Sequence, residues 1–244
     1  MRTLELFERY YFSKADFVGG TEVFHRMCRS HFLEGPILEV GAGPANPTTS
    51  FLSRLAPVTG LDVSDEVLNN PDLTEALVYQ NGIMPFPDSS FGMCVSNYVL
   101  EHLADPRTHF LEVFRVLKPG GAYCFRTPNR FHYVTLGSSL LPHSLHVRLA
   151  NKLRGLDKGA HEPWPTVYRA NSRGRLLKLA KGTGFLPEEL MMIEAEPSYG
   201  AAHWLLFYPM MAYERVVNSS ELFDSLRVNI LGIFRKCGQH LNLK

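Results

Sequence analysis

The sequence predicts an α/β fold built on a doubly wound, seven-stranded, mostly parallel sheet. Three observations carry this: short apolar runs alternate with stretches of helical spacing, a glycine turn follows the first run, and the alternation persists along the 244 residues. Strands are expected near residues 37 to 40, 58 to 62, 76 to 80, 93 to 97 and 122 to 127. The clearest helix lies between the last two, from Pro106 to Leu117, where Phe110, Val113, Phe114 and Leu117 recur every three or four positions. Ser172 to Thr183 reads as a basic amphipathic helix and Glu189 to Ala195 as a sixth strand. A helix over about Ala201 to Val217 and a seventh strand within Arg227 to Lys236 complete the set. A chain of this length with 45% hydrophobic residues can bury one sizeable core, so a single domain over residues 1–244 is expected.

The chemistry concentrates at Ile37 to Pro47, ILEVGAGPANP. Ile37, Leu38 and Val40 form a buried strand, and Gly41 and Gly43 let the backbone turn sharply and approach a ligand. Glu39 places a carboxylate at that turn. Asp62, 21 residues after Gly41, ends the next apolar segment, where a carboxylate can accept from ribose hydroxyls. A dinucleotide loop would carry a third glycine so that a helix N-terminus faces the pyrophosphate. Asn46 stands there instead, flanked by Pro44 and Pro47, and Glu39 would repel a pyrophosphate while suiting a ligand with an ammonium group.

Glu39, Gly41 and Gly43 match the E/D-x-G-x-G-x-G motif, with Ala45 in place of its last glycine, and at this point the chain resembles the class I S-adenosylmethionine-dependent methyltransferases. Two later stretches strengthen the resemblance: QNGIMPFPDSSFGMCVSNYVLEH from Gln80 to His102, and FLEVFRVLKPGGAYCFRTPN from Phe110 to Asn129 with its K-P-G-G turn at Lys118 to Gly121. Together they cover about Gly35 to Asn129 and look most like the ubiquinone and menaquinone methyltransferase branch. The resemblance implies a Rossmann-like methyltransferase fold and S-adenosyl-L-methionine as methyl donor, with S-adenosyl-L-homocysteine as product. It implies cofactor contacts from Glu39, Gly41, Ala42, Gly43, Asp62, Val63, Asn81, Gly82, Ile83 and Asn97, with Asn81 and Gly82 at the adenine. Gly92 replaces a common aspartate. Within the single domain the segments expected are N-terminal helices or a lid over residues 1–34, with Tyr10 and Tyr11 either in the lid or packing, and a cofactor-binding half over 35–129. A substrate insertion over 127–171 and a C-terminal completion of the sheet over 172–244 follow.

The insertion begins at the carboxyl edge of the sheet, where open α/β sheets bind ligands. Between Arg126 and Arg175 nine Lys or Arg residues stand against two acidic ones, which suits an anionic substrate or acidic surface equally with ordinary solvated helix faces. The expected acceptor is a small molecule, anionic, sugar-linked or lipid-like. His132 is the first candidate base, followed by His102 and Tyr133, with Asn129 and His161 also within reach of that edge; His102 has the competing reading of holding its helix. No nucleic-acid partner is expected at a net charge of +1. The apolar helix at 201–217 suits core packing, a homodimer or peripheral membrane contact. Cys28, Cys94, Cys124 and Cys237 lack metal-ligand spacing and read as reduced thiols, so no metal is expected. The charged N-terminus lacks a signal-peptide core, which makes a cytoplasmic location the expectation. Two other readings stay open: a nicotinamide-dependent oxidoreductase, and a non-catalytic S-adenosylmethionine-binding subunit that holds a partner.

Overall fold

The computed structural model describes residues 2–80, 82–140, 165–197, 200 and 203–237. The chain forms two compact units, each assembled from separate segments. Met1–Val23, Asn129–Pro165 and Met192–Asn229 make the first; Phe24–Pro128, Thr166–Met191 and Ile230–Lys244 make the second.

The second unit carries the bulk of a seven-stranded, mostly parallel sheet of order β3-β2-β1-β4-β5-β7-β6. Its strands are β1 (Ile37–Val40), β2 (Val58–Asp62), β3 (Glu75–Val78), β4 (Phe91–Asn97), β5 (Leu117–Pro128), β6 (Phe185–Ile193) and β7 (Asn229–Lys236). β1 lies parallel between β2 and β4, with Glu39 opposite Gly60 on one side and Val95 on the other. Every residue of β1 is buried, which is why it reads as a continuous apolar run broken only by Glu39. The order reverses at β1, so the carboxyl ends of β1 and β4 form the crevice where such sheets take ligands.

Helices α3 (Pro47–Leu52), α4 (Pro106–Val116) and α6 (Arg173–Thr183) belong to this unit. α4 buries Phe110 and Val113, the stripe its spacing predicts. Phe110 meets Tyr123, Phe125, Phe185 and Phe234, ring centroids 5.4 to 6.3 Å apart, as the aromatic core. Burying each such ring contributes about 2 kcal/mol or more. β6 begins at Phe185, four residues ahead of the expected Glu189, because Gly184 ends α6 in a left-handed conformation and the chain enters the sheet at once. The sequence around Pro187 reads as loop, yet β6 is an edge strand, where a proline is tolerated.

In the first unit, α1 (Arg2–Phe7) and a π-helical turn (Glu8–Phe12) pack against α7 (Trp204–Asn218). Phe7, Tyr11 and Phe207 form its small core. Helix α2 (Gly20–His31) belongs mainly to the second unit, and α5 (Tyr133–Leu140) to the first. Most of the 127–171 insertion, including His143, His146, His161 and Trp164, lies outside the described residues.

Candidate functional site

The turn after β1 needs its glycines. Gly41 has φ +74°, and a methyl there would fall 2.3 Å from Val99 Cγ2; Gly43 has φ +52°. Gly43 N donates to Asp62 Oδ2 and Ser64 N donates to Asp62 Oδ1, each at 2.9 Å. Asp62 thus ties the glycine turn to the end of β2, and its remaining lone pairs are what a ribose could use. Asn46 caps α3: its Oδ1 accepts from Thr48 N and Thr49 N, and its Nδ2 donates to the Ala42 carbonyl at 2.8 Å. The amides that a pyrophosphate would occupy are therefore already satisfied. Asn70 Nδ2 closes the bracket with bonds to the Gly43 and Pro44 carbonyls.

Glu39 sits at the centre, 2% exposed. Burial, with the Asp62 charge adding to it, pushes its carboxyl up to about 8 against a hydrogen bond with Thr49. Its Oε2 has no hydrogen-bond partner, and neither has the buried Oδ1 of Asn97 at the end of neighbouring β4. Asn97 Nδ2 donates to Thr48 Oγ1 at 3.0 Å, and the His25 ring meets the same hydroxyl at 3.3 Å, which fixes the amide with its oxygen left over. Two buried acceptors without donors on adjacent strands call for a cationic, multi-donor group, and an ammonium fits.

Residues 38–125 match the family described as the methyltransferase domain. The chain is 34% identical over 104 residues to a demethylmenaquinone methyltransferase of Tropheryma whipplei, covering 39% of this chain and 44% of that protein. It is 35% identical over 95 residues to a malonyl-[acyl-carrier protein] O-methyltransferase of Erwinia billingiae, covering 37% and 38%. Among solved structures, an S-adenosylmethionine-dependent methyltransferase of Methanosarcina mazei aligns with 87% of this chain and 98% of its own at TM-score 0.57 and 19% identity. Over residues 38–125 the chain is therefore similar to S-adenosylmethionine-dependent methyltransferases, and its fold is theirs. The chain spans less than half the length of those curated relatives.

Within residues 38–125, Ala42 is buried in the glycine turn, while Val63 and Ile83 are exposed beyond β2 and β3. Gly82 has φ +63°, and Asn81 lies outside the described residues. The PFPD turn is held by Arg115, whose guanidinium donates to the Met84 and Phe86 carbonyls and pairs with Asp88 and Glu112.

Beyond β4 lies a second group of polar residues, of which the sequence reading singles out only His102 as a candidate. Tyr98 takes a left-handed φ of +60°, an uncommon conformation for a bulky residue, and its ring lies 4.7 Å from the Arg126 guanidinium. Thr127 donates to the Glu101 carboxylate, and Asn171 Nδ2 donates to Thr127 and the Pro128 carbonyl. His102 Nε2 is 3.9 Å from Glu101 on the same short 3-10 turn.

Of the other sequence-predicted residues, His132 and Tyr133 lie in the first unit. His132 is fully buried, 3.6 Å from Glu194. Burial pushes the imidazole down to about 4 and the Glu194 carboxyl up to about 8, so both favour their neutral forms. Tyr133 packs edge-on against Tyr213. Asn129 is a bracket: its Nδ2 donates to the Ser225 and Arg227 carbonyls and its Oδ1 accepts from Phe131 N. Tyr11 is in the core, donating to Glu214 at 2.9 Å.

Proposed function

We propose that the chain is an S-adenosylmethionine-dependent methyltransferase acting on a small-molecule acceptor that is anionic, sugar-linked or lipid-like. The observation that carries this reading is the pair of buried acceptors without donors, Glu39 Oε2 and Asn97 Oδ1, at the switch point of the sheet. In it, Glu39 and Asn97 hold the ammonium, Asp62 and Gly43 the ribose, and Val63, Asn81, Gly82 and Ile83 the adenine. Gly41 and Ala42 let the backbone close on the ligand.

When bound, the cofactor supplies an already activated methyl group on a sulfonium. The chain's own contribution is then to orient the acceptor and exclude water. Where the acceptor is a hydroxyl or amine, a proton must leave it, and His132 is the first proposed base; the burial that lowers its imidazole to about 4 keeps it neutral and makes it a weak proton acceptor. His102 and Tyr133 are the remaining candidates. The related proteins named above act, by their names, on demethylmenaquinone and on a malonyl group carried on a protein, which supports a lipid-like or carboxylate-bearing acceptor.

Peripheral membrane contact or a homodimer through the 201–217 segment belongs to the same proposal. α7 exposes Leu205 and Tyr208 while Phe207 is fully buried. No helix among the described residues is long and apolar enough to cross a membrane, and a cytoplasmic setting is proposed with the rest. A nicotinamide cofactor is disfavoured by the Asn46 cap and by Glu39.

Calorimetric titration with S-adenosylmethionine, S-adenosylhomocysteine and NAD tests the reading. Selective binding of the first two is expected, and binding of NAD alone would overturn it. Tight cofactor binding without turnover across acceptors, with a stable hetero-complex, would favour the partner-subunit reading. Asp62→Ala should weaken S-adenosylmethionine binding with the fold retained; unchanged affinity would remove Asp62 from the ribose site.

A further inference from the structure

The basic helix that stands out in the sequence takes no part in the cradle. It lines an open groove of 560 Å³ in the second unit, between the start of α4 and the length of α6. Four cationic side chains meet there: Arg107 on α4, Arg169 ahead of α6, and Arg175 and Lys178 on α6. One acid faces them, Asp105, and its carboxylate is engaged as the cap of α4, accepting from Arg107 N, Thr108 N and Thr108 Oγ1. α6 carries no acidic residue at all. Among the described residues Arg169, Arg175 and Lys178 form no ion pair, and Arg169 donates only to the Ala104 carbonyl. Pro106 and Leu179 add apolar wall to the same groove.

An ordinary solvated helix face intersperses its cations with acids, which relieves their repulsion. Here Asp105 is the one acid of the lining against four cations, so most of the positive charge is left for a counter-charge from outside. A volume of 560 Å³ can take a small molecule, in a groove that stays open to solvent. Three of the four cations are arginines, whose planar forks pair with tetrahedral oxyanions through two hydrogen bonds at once. A carboxylate, with one charge and two oxygens, would engage one fork and leave the others unbalanced. A phosphate group carries nearly two charges and three acceptor oxygens, so it can bridge cations from α4 and α6 together. We infer that this groove binds a phosphate-bearing ligand, separately from the cofactor cradle, with Pro106 and Leu179 against the ligand's apolar part.

Inorganic pyrophosphate is the soluble probe, titrated calorimetrically into the full chain at low salt. Vesicles of phosphatidylcholine, with and without phosphatidic acid, are the lipid probe, read by co-sedimentation. The double variant R175E/K178E changes two exposed side chains and should keep S-adenosylmethionine binding. Binding of either phosphate probe that weakens at least about tenfold in this variant is the expected result. Loss confined to pyrophosphate names a soluble phosphate ester as the source, and loss confined to phosphatidic acid names a lipid headgroup. If the double variant also loses S-adenosylmethionine binding, Arg107→Gln replaces it with the same expected loss. Failure of the unaltered chain to bind either probe, or binding that the variants retain, overturns the inference.

Discussion

Glu39 couples the cradle to pH. Its carboxyl is held protonated up to about pH 8 by burial, yet an ammonium beside it needs the carboxylate. S-adenosylmethionine affinity should therefore rise as pH approaches 8, with a proton released on binding. Calorimetry in buffers of different ionisation enthalpy measures that proton directly. Glu39→Gln should abolish the release and weaken binding by about tenfold or more; a pH-independent affinity in the unaltered protein would take Glu39 out of contact with the ammonium. Gly41 makes a separate prediction, on stability. Gly41→Ala meets both a left-handed φ and a contact 2.3 Å from Val99, and should cost about 1–3 kcal/mol, read as a melting temperature several degrees lower.

At the scale of elements, the cradle depends on one cap, and the sheet beside it on one close approach. Asn46 gives α3 its N-cap and ties the glycine turn through the Ala42 carbonyl. Asn46→Ala should lose about 1 kcal/mol of stability and weaken cofactor binding as well, checked by thermal melts with and without S-adenosylmethionine. Gly232 on β7 lies against the Phe125 ring, where a methyl would fall 2.2 Å from its edge. Gly232→Ala should overpack the β5–β7 face at about 1–3 kcal/mol while leaving cofactor affinity unchanged in the folded fraction. Elements with strong local periodicity, such as α4 and β1, lie within a residue of where their pattern puts them. β6 does not, because an edge strand buries little and its exposed residues read as loop.

For the whole molecule, buried titratable groups set a pH profile. Glu39 and Glu194 take up a proton on folding: the stability they bring is complete below about 4.5 and is lost as pH rises to about 8. His109 and His132 act in the opposite sense, their stability complete above 6.5 and lost as pH falls to about 4. The two trends oppose between 4.5 and 6.5 and leave the loss on the alkaline side uncompensated. Denaturant unfolding should show stability falling from pH 6.5 to 8, and Glu194→Gln should remove part of that fall. An unchanged alkaline slope in the variant would mean that Glu194 does not titrate there.

The succession of strands and helices, the glycine turn and the candidate positions of Glu39 and Asp62 were legible in the sequence, because burial and turn geometry act over a few neighbouring residues and leave periodic marks; Asn97 came from the family resemblance, and the strand order from the structure. Asn70 was not legible, since the carbonyl it binds on Gly43 is 27 positions away and an isolated asparagine carries no pattern. The same holds for Tyr98 against Arg126, and for the groove where Arg107 meets Arg175 and Lys178. The basic helix showed in the sequence as charge alone, and only folding placed its cations around a cavity. Local chemistry was determined by the chain itself; which distant polar groups share a hydrogen bond or a charge was decided by the tertiary structure, because packing rather than sequence spacing brings them within reach.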